Sequence, residues 1–260
     1  MGSRYDEHFF REIDPGATAS AEIVVPLVLD LLPIKTVCDI GCGTGAWLTV
    51  FQLHGADILG VDGAYAQSTL RIPARNFRAH DLRSPFTGDR RFDLAMSLEV
   101  AEHLPVSCAQ PFVQSLTALA PVVLFSAAIP GQGGTNHINE QWQGYWAKLF
   151  AGHGYVAIDC LRPLIWNDER VMWWYRQNIF IYCDQKALDG YPKLAQFGTA
   201  TMVSAVHPDC YDKPSGALMT LRIVFKKALM RRMGLMPSIS KDFAEILHEP
   251  DTGTRQRHHL

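Results

Sequence analysis

The chain has 260 residues, 48% hydrophobic and 19% charged, with a formal net charge of -2. That profile suits one soluble α/β domain with modest additions, and the near-neutral charge argues against a nucleic-acid binder, because neutralising phosphates needs a basic surface. No uncharged apolar run reaches membrane-spanning length, no secretory signal opens the chain, and the six cysteines are spaced neither as a zinc knuckle nor as a small disulfide framework, so a reducing cytoplasm is the expected setting.

Residues Arg4 to Asp14 are polar and aromatic, with Tyr5, Phe9 and Phe10 among them. Ala17 to Leu32 carries an apolar stripe through Ala21, Val24, Val25, Val28 and Leu31 and predicts an amphipathic helix, which Pro33 ends. An apolar run from Thr36 to Ile40 then leads into Gly41, Gly43 and Gly45, and a helical pattern begins at Ala46. The reading is a buried strand, a tight turn and a helix. Glycines suit such a turn because a side chain would keep the backbone away from a ligand, and the helix N-terminus behind it offers free N–H groups.

Two ligand classes compete for this turn. Gly41, Gly43 and Ala46 satisfy the dinucleotide fingerprint, which accepts Ala at its last position. The alternative is S-adenosylmethionine (SAM). Asp39-Ile40-Gly41-Cys42-Gly43-Thr44-Gly45 resembles, at every position, the first motif of the class I SAM-dependent methyltransferases, acidic-x-Gly-x-Gly-x-Gly. Asp39 is the informative residue. A carboxylate there would repel a pyrophosphate but can accept from the ammonium of a methionine moiety.

A helix follows over Ala46 to Gly55 with Trp47, Leu48 and Phe51 inward, then a strand, Ile58 to Val61, ending in Asp62. An acid at that distance from the turn suits the ribose hydroxyls of either cofactor, and Gly63 is small enough to let an adenosine lie close. Asn76 to His80 reads as a third strand, followed by Asp81 and Leu82. The resemblance implies that Asp81 accepts from the adenine amino group and that Leu82 lines the ring; the plain alternative is a turn-capping Asp.

Phe92 to Val100 reads as the fourth strand and runs into Ala101-Glu102-His103-Leu104-Pro105. Glu99-Val100-x-Glu102-His103 is similar to a motif after strand four in small-molecule methyltransferases, including quinone-biosynthesis O-methyltransferases. Leu98 and Glu99 complete a cofactor-binding set of Asp39, Gly41, Cys42, Gly43, Gly45, Trp47, Asp62, Gly63, Asp81 and Leu82. His103 can take a proton near neutral pH and is a candidate base; a structural histidine is the other reading.

After a helix over Val106 to Leu119 and a fifth strand within Pro121 to Pro130, a glycine-rich polar loop runs from Gly131 through His137, Asn139, Glu140 and Trp142 to Tyr145 and Trp146. In the family such a loop borders the acceptor site. His137 and Glu140 join His103 as catalytic candidates, and Asn139, Trp142 and Tyr145 as substrate-binding ones. The bland reading is a helix start with Asn139 as N-cap and Trp142 and Trp146 in the core. Tyr155 to Cys160 and Ile179 to Cys183 supply two more strands, and between them lies a tryptophan-rich run that includes Trp166, Trp173 and Arg176. These groups could stack on and hydrogen-bond a sugar ring, or pack the hairpin on the sheet. The sugar reading expects residues 135–146 and 166–178 to converge on one pocket.

The expectations are therefore a Rossmann-like, doubly wound α/β sheet of seven strands with the last antiparallel, and a helical, partly irregular C-terminal extension. Residues 1–35 form an N-terminal lid and helix, where the resemblance makes Tyr5 and Phe9 lid residues over the cofactor and acceptor; the plain alternative is an N-terminal helix that packs its aromatics on the domain. Residues 36–184 form the SAM-binding domain, and 185–260 the extension with a basic amphipathic helix over 217–233 and a disordered tail. That helix either packs on the domain or touches an anionic membrane. SAM is the cofactor, with S-adenosylhomocysteine as product. The acceptor is an oxygen, or a nitrogen, of a small molecule or glycan, with a sugar hydroxyl favoured. No metal is expected, because no dense cluster of ligands stands in the sequence, and nucleic acid is not a partner. Binding of SAM without turnover and a nicotinamide-dependent oxidoreductase are the rival functions.

Overall fold

The computed structural model describes residues 7–200 and 204–211, with side chains from residue 15 onward. The order is α1 (Glu7–Leu31), β1 (Thr36–Ile40), α2 (Ala46–Leu53), β2 (Asp57–Asp62), β3 (Phe77–Ala79), β4 (Leu94–Leu98), α3 (Ala109–Leu119), β5 (Val122–Ser126), α4 (Gln143–Ala151), β6 (Tyr155–Ile158), α5 (Arg162–Ile165), α6 (Trp173–Asn178) and β7 (Phe180–Asp184). Two short helices, α7 (Pro192–Ala195) and α8 (Pro208–Tyr211), follow.

The strands form one sheet in the order β3-β2-β1-β4-β5-β7-β6. β1 pairs in parallel with β2 and β4, and β4 in parallel with β5, whereas β7 runs antiparallel to both β5 and β6. The seven strands with an antiparallel last strand are those expected. Central strands are buried on both faces, as Val122–Ser126 is along its whole length, which is why they read as continuous apolar runs.

One core layer packs α1, α2 and the tryptophan-rich insertion on the sheet through Val24, Val28, Trp47, Phe51 and Tyr175. The other face is covered by α3 and α4, with Phe112, Leu116, Trp146 and Phe150 around Phe125 and Tyr182. The rings of Phe150 and Tyr182 stack at 3.9 Å between centroids and 12° between planes. Burying each such side chain contributes about 1.5–3 kcal/mol, so both layers hold the sheet flat against its helices.

Two boundaries differ from expectation. α1 begins at Glu7 rather than Ala17 and contains both Pro15 and Pro26. Pro15 and Gly16 locally disfavour a helix, but the insertion holds this part of it in place. The Ser20 hydroxyl donates to Gly16 O at 2.7 Å and accepts from Met172 N at 2.9 Å. The second difference is α4, which starts at Gln143 with Trp142 as N-cap and no side-chain capping bond. Asn139 therefore does not cap it. Residues 15–200 and 204–211 include no helix long and apolar enough to span a membrane. Tyr5, the 217–233 helix and the polar tail lie outside the described residues, as does the side chain of Phe9.

Candidate active site

The glycine turn sits where β1, β2 and β4 end on one edge of the sheet. Gly41, Gly43 and Gly45 have φ of 90°, 53° and 84°, a region glycine enters at little cost. A Cβ on Gly41 would collide with the Val100 side chain, and one on Gly45 would meet Ile72 Cγ2 at 2.9 Å. The turn is thus a bare backbone cradle wedged between two apolar side chains. The buried thiol of Cys42 packs toward β2, where a Cβ on Gly60 would lie 2.7 Å from its Sγ, and donates to Gly43 O at 3.7 Å.

Two buried acids flank the cradle. Burial first, and the charge of Asp62 second, hold the Asp39 carboxyl well above the ordinary carboxylate range. Asp62, at the end of β2, accepts from Gly43 N at 2.8 Å, from Gly63 N at 2.6 Å and from the Tyr65 hydroxyl. Burial raises its pKa more than those three donors lower it. A cationic or multiply hydroxylated ligand is what two desolvated carboxyls beside a glycine turn call for. The residues therefore fit SAM, whose methionine ammonium and ribose hydroxyls supply those partners. They fit a pyrophosphate poorly, for the reason Asp39 gave in the sequence.

The other members of the cofactor set differ in their surroundings. Trp47 is buried in the α1–α2 layer, where its indole N–H donates to Tyr175 Oη at 3.4 Å. Asp81 is held in a two-pronged pair with Arg83 at 2.9 and 2.6 Å, and this hydrogen bonding lowers its pKa to about 2. Both partners are more than half exposed. Leu82 packs partly buried on the α3 layer.

Glu99 directly follows β4 with φ at 56°, a strained value for a residue with a side chain. The strain aims its carboxylate into a polar network that the sequence did not reveal. Gln132 Nε2 donates to Glu99 at 2.8 Å and Asn178 Nδ2 at 3.1 Å. Gln177 Nε2 donates to Gln132 Oε1 at 3.1 Å, and Gln177 Oε1 accepts from His207 N at 2.9 Å. Strand four, the glycine loop after β5 and the insertion before β7 are joined through these side chains.

Beside this network the loop after β5 folds onto the turn after β4. Ile138 N and Asn139 N both donate to Glu102 O, at 2.9 and 3.0 Å, and Asn139 Nδ2 donates to Ala101 O. The docking brings His137 against His103, with ring centroids 4.9 Å apart and planes at 82°. His103 is pushed down to about 4, mainly by burial and next by His137, while hydrogen bonds to the backbone of Asn136 and Thr135 act the other way. It is therefore neutral at physiological pH. His137 Nδ1 lies 2.9 Å from Glu140 Oε1. Burial raises the Glu140 pKa, but hydrogen bonds from His137 and from the N–H groups of Gly131 and Gly133 outweigh it and hold the group below the usual range. All three catalytic candidates thus share one locus. Glu102 shares it too, although sequence reading had left it out of the site. It is fully buried, and burial, then the charge of Glu99, raise its pKa well above the ordinary range.

The substrate candidates separate into two places. Asn139 belongs to the locus just described, and Trp142 and Ile138 stand exposed on the same loop. Tyr145 packs edge-on to Trp146. Trp166 and Arg176 belong elsewhere: Arg176 donates to Trp166 O at 3.1 Å and to Asp209 at 2.6 Å, and the Trp166 ring lies 4.6 Å from that of His207. Trp173 packs edge-on to Trp174. The contacts of Arg176 and Trp166 are with α8 and its approach rather than with the loop of Asn139 and Glu140. The two segments meet elsewhere, where Gln143 Nε2 reaches Gln177 O at 3.4 Å and Asn178 Oδ1 at 3.5 Å.

Residues 13–157 match the family described as Methyltransferase domain. The chain belongs to that family. A ubiquinone biosynthesis O-methyltransferase of Cereibacter sphaeroides is 37% identical to it over 76 residues, which cover 25% of this chain and 30% of the relative. The chain thus spans less than a third of that relative's length. Among solved structures it resembles a candidate O-methyltransferase from Nostoc punctiforme, with a TM-score of 0.53, 16% identity and coverage of 67% of this chain and 58% of the other. It also resembles a SAM-bound amino pentose methyltransferase from Micromonospora echinaspora involved in calicheamicin biosynthesis, with a TM-score of 0.50, 16% identity and coverage of 71% and 98%. At such identities these two likenesses speak for the methyltransferase fold alone, and the family match speaks for the methyltransferase domain.

Proposed function

We propose that this methyltransferase uses SAM and transfers its methyl group to an oxygen of a small molecule. The observation that carries the reading is the placement of Asp39 and Asp62 as two buried acids beside a turn with three glycines at positive φ. SAM supplies a methyl on a positively charged sulfur. The chain's part is to hold the ammonium beside Asp39 and the ribose hydroxyls beside Asp62, and to set the acceptor in line with the methyl. Alignment of this kind lowers a barrier by about 7–11 kcal/mol at best. During transfer the carbon–sulfur bond breaks with its electron pair kept by sulfur, the carbon–oxygen bond forms, and the hydroxyl proton leaves to a base. His103 and His137 are the groups proposed for that proton, with Glu140 orienting His137. Residues 36–184 would carry the cofactor, with 1–35 and 185–260 as additions to it.

The acceptor class proposed first remains a sugar or glycan hydroxyl. The amino pentose methyltransferase is a precedent in this fold for a sugar acceptor, not for a hydroxyl in particular, and Arg176 and Trp166 do not support the sugar reading because they hold each other and α8. Asn139, Trp142 and Tyr145 are the acceptor contacts that remain proposed. The test is calorimetry with SAM, S-adenosylhomocysteine and NAD, followed by a radiolabelled methyl-transfer screen across sugars, phenols and amines. Binding of SAM and not NAD with transfer to a hydroxyl supports the reading. Binding of NAD instead points to an oxidoreductase, and SAM binding without any transfer points to a non-enzymatic SAM binder.

A further inference from the structure

Glu102 and His103 come from the turn after β4, and His137 from the loop after β5. Each offers one ligand atom, and the three atoms lie within 4.8 Å of one another. Glu102 is fully buried and neither of its carboxylate oxygens makes a well-formed hydrogen bond, although the backbone N–H groups of Glu102 and Ala128 lie close enough to favour its charged form. A buried carboxyl left in that condition is costly, and buried charges are ordinarily paired or bound to a metal.

The neighbouring histidine is oriented as a ligand would be. His137 Nδ1 is tied to Glu140 at 2.9 Å, and Glu140 is fixed in turn by Gly131 N and Gly133 N, each at 2.8 Å. Glu140 is the acceptor in that pair, so Nδ1 carries the proton and Nε2 presents its lone pair. Nε2 lies 4.0 Å from Glu102 Oε1. That gap is too long for a hydrogen bond between them. Two donors on one small ion, each at about 2.1 Å, stand roughly 3–3.5 Å apart, so a modest inward shift would suffice. A carboxylate behind a histidine, with the opposite ring nitrogen toward the ion, is the usual way a metal-binding imidazole is aimed.

We propose that Glu102, His103 and His137 bind a divalent transition cation. Two imidazoles with one carboxylate suit ions of the manganese-to-zinc series and are a poor match for magnesium or calcium, which prefer all-oxygen shells. Three protein ligands leave coordination positions open for acceptor oxygens. The role of the ion rests on the methyl-transfer reading; its binding does not. With the ion bound the two imidazoles serve as ligands and the proton of a coordinated hydroxyl leaves to water, whereas without it they remain the groups proposed for that proton; the ion also repels an ammonium acceptor. The site therefore selects hydroxyl acceptors over amines, and an acceptor with adjacent hydroxyls could fill two positions.

The experiment uses the full chain carrying His258→Ala and His259→Ala, which removes the adjacent histidine pair near the C-terminus. After chelator treatment, Mn²⁺ is titrated and free ion is read by electron paramagnetic resonance, a readout that needs no turnover and that thiols disturb little. One tight site per chain is expected, weakened about tenfold or more by Glu102→Gln and by His137→Ala and unchanged by His80→Ala, whose ring bonds to Ser84 O instead. Thermal unfolding of each variant confirms that it is folded. Absence of stoichiometric Mn²⁺ binding, with Zn²⁺ binding equally absent by calorimetry, overturns the site, and so does binding that both ligand variants leave intact. Full methyl transfer in the chelated protein would overturn the ion's role with the acceptor while the binding data still decided the site.

Discussion

The hydroxyl of Tyr65 donates to Oδ1 of Asp62, and its ring lies against Gly63, where an added Cβ would strike it. The oxygen proposed to receive a ribose hydroxyl is therefore already engaged by a side chain that is itself 39% exposed. The two donors compete. Tyr65→Phe is expected to tighten SAM binding, and Asp62→Ala to weaken it by about 1.5–3 kcal/mol, the worth of a hydrogen bond to a charged group. Calorimetry on both variants checks this; equal weakening by both would make Tyr65 part of the binding surface rather than a competitor.

Gly41→Ala combines a φ of 90° with a collision against Val100. Strain in this region costs about 1–3 kcal/mol and overpacking a similar amount. Denaturant unfolding should show a loss of roughly 2–4 kcal/mol, and adding Val100→Ala should restore the packing share but not the strain. Full restoration by the second change would mean that the turn stores no strain at Gly41.

Asp39 gives a pH prediction. An acid whose folded-state pKa is raised binds more protons folded than unfolded, so stability falls as pH rises from the ordinary carboxylate range through the folded value. Asp39 is such an acid through burial and the charge of Asp62. Asp39→Asn should therefore gain melting temperature relative to the parent at about pH 8, and the gain should vanish below about pH 4. A difference between the two proteins that does not change with pH would show that Asp39 is not desolvated. SAM affinity should drop in the same variant.

The base assignment is checked by His103→Ala and His137→Ala. Each should keep SAM affinity while turnover falls by about two to four orders of magnitude. If His103 takes the proton, the acid limb of the rate profile should lie near its lowered value of about 4. Retained activity in either variant removes that histidine from the chemistry.

Arg176 is expected to act on stability rather than on the reaction. It is buried, bridges Trp166 O and Asp209, and its Nε has no partner. Arg176→Ala should cost on the order of 1–3 kcal/mol of folding stability through the lost hydrogen bonds, with SAM affinity unchanged. Unchanged stability with a raised acceptor KM would return it to the acceptor site.

The sheet was legible because each strand is an apolar run closed by a turn or an acid. Asp62 in particular could be placed at the end of β2 by counting from the glycines. The start of α1 was not legible, since Pro15 and Gly16 locally disfavour a helix that Ser20 and Met172 hold in place from elsewhere. Asn139 reads as a cap in sequence, yet its side chain turns inward to Ala101 O. Gln132, Gln177 and Asn178 look like surface polar residues until the fold buries them around Glu99. The cluster at Glu102 was hidden for a similar reason: its histidines lie in segments that only the docking of one loop on another turn brings together.

The carboxylate of Glu99 also bears on how such a protein could be altered. Two of its donors come from different segments, Gln132 from the glycine loop and Asn178 from the insertion. Neither segment is a free module. A loop grafted in from a relative would have to bring an amide to the same oxygen, and an exchanged insertion would have to do likewise. New acceptor preferences on this scaffold should therefore arise by paired replacement of both segments, and single grafts should lose stability before they gain a substrate.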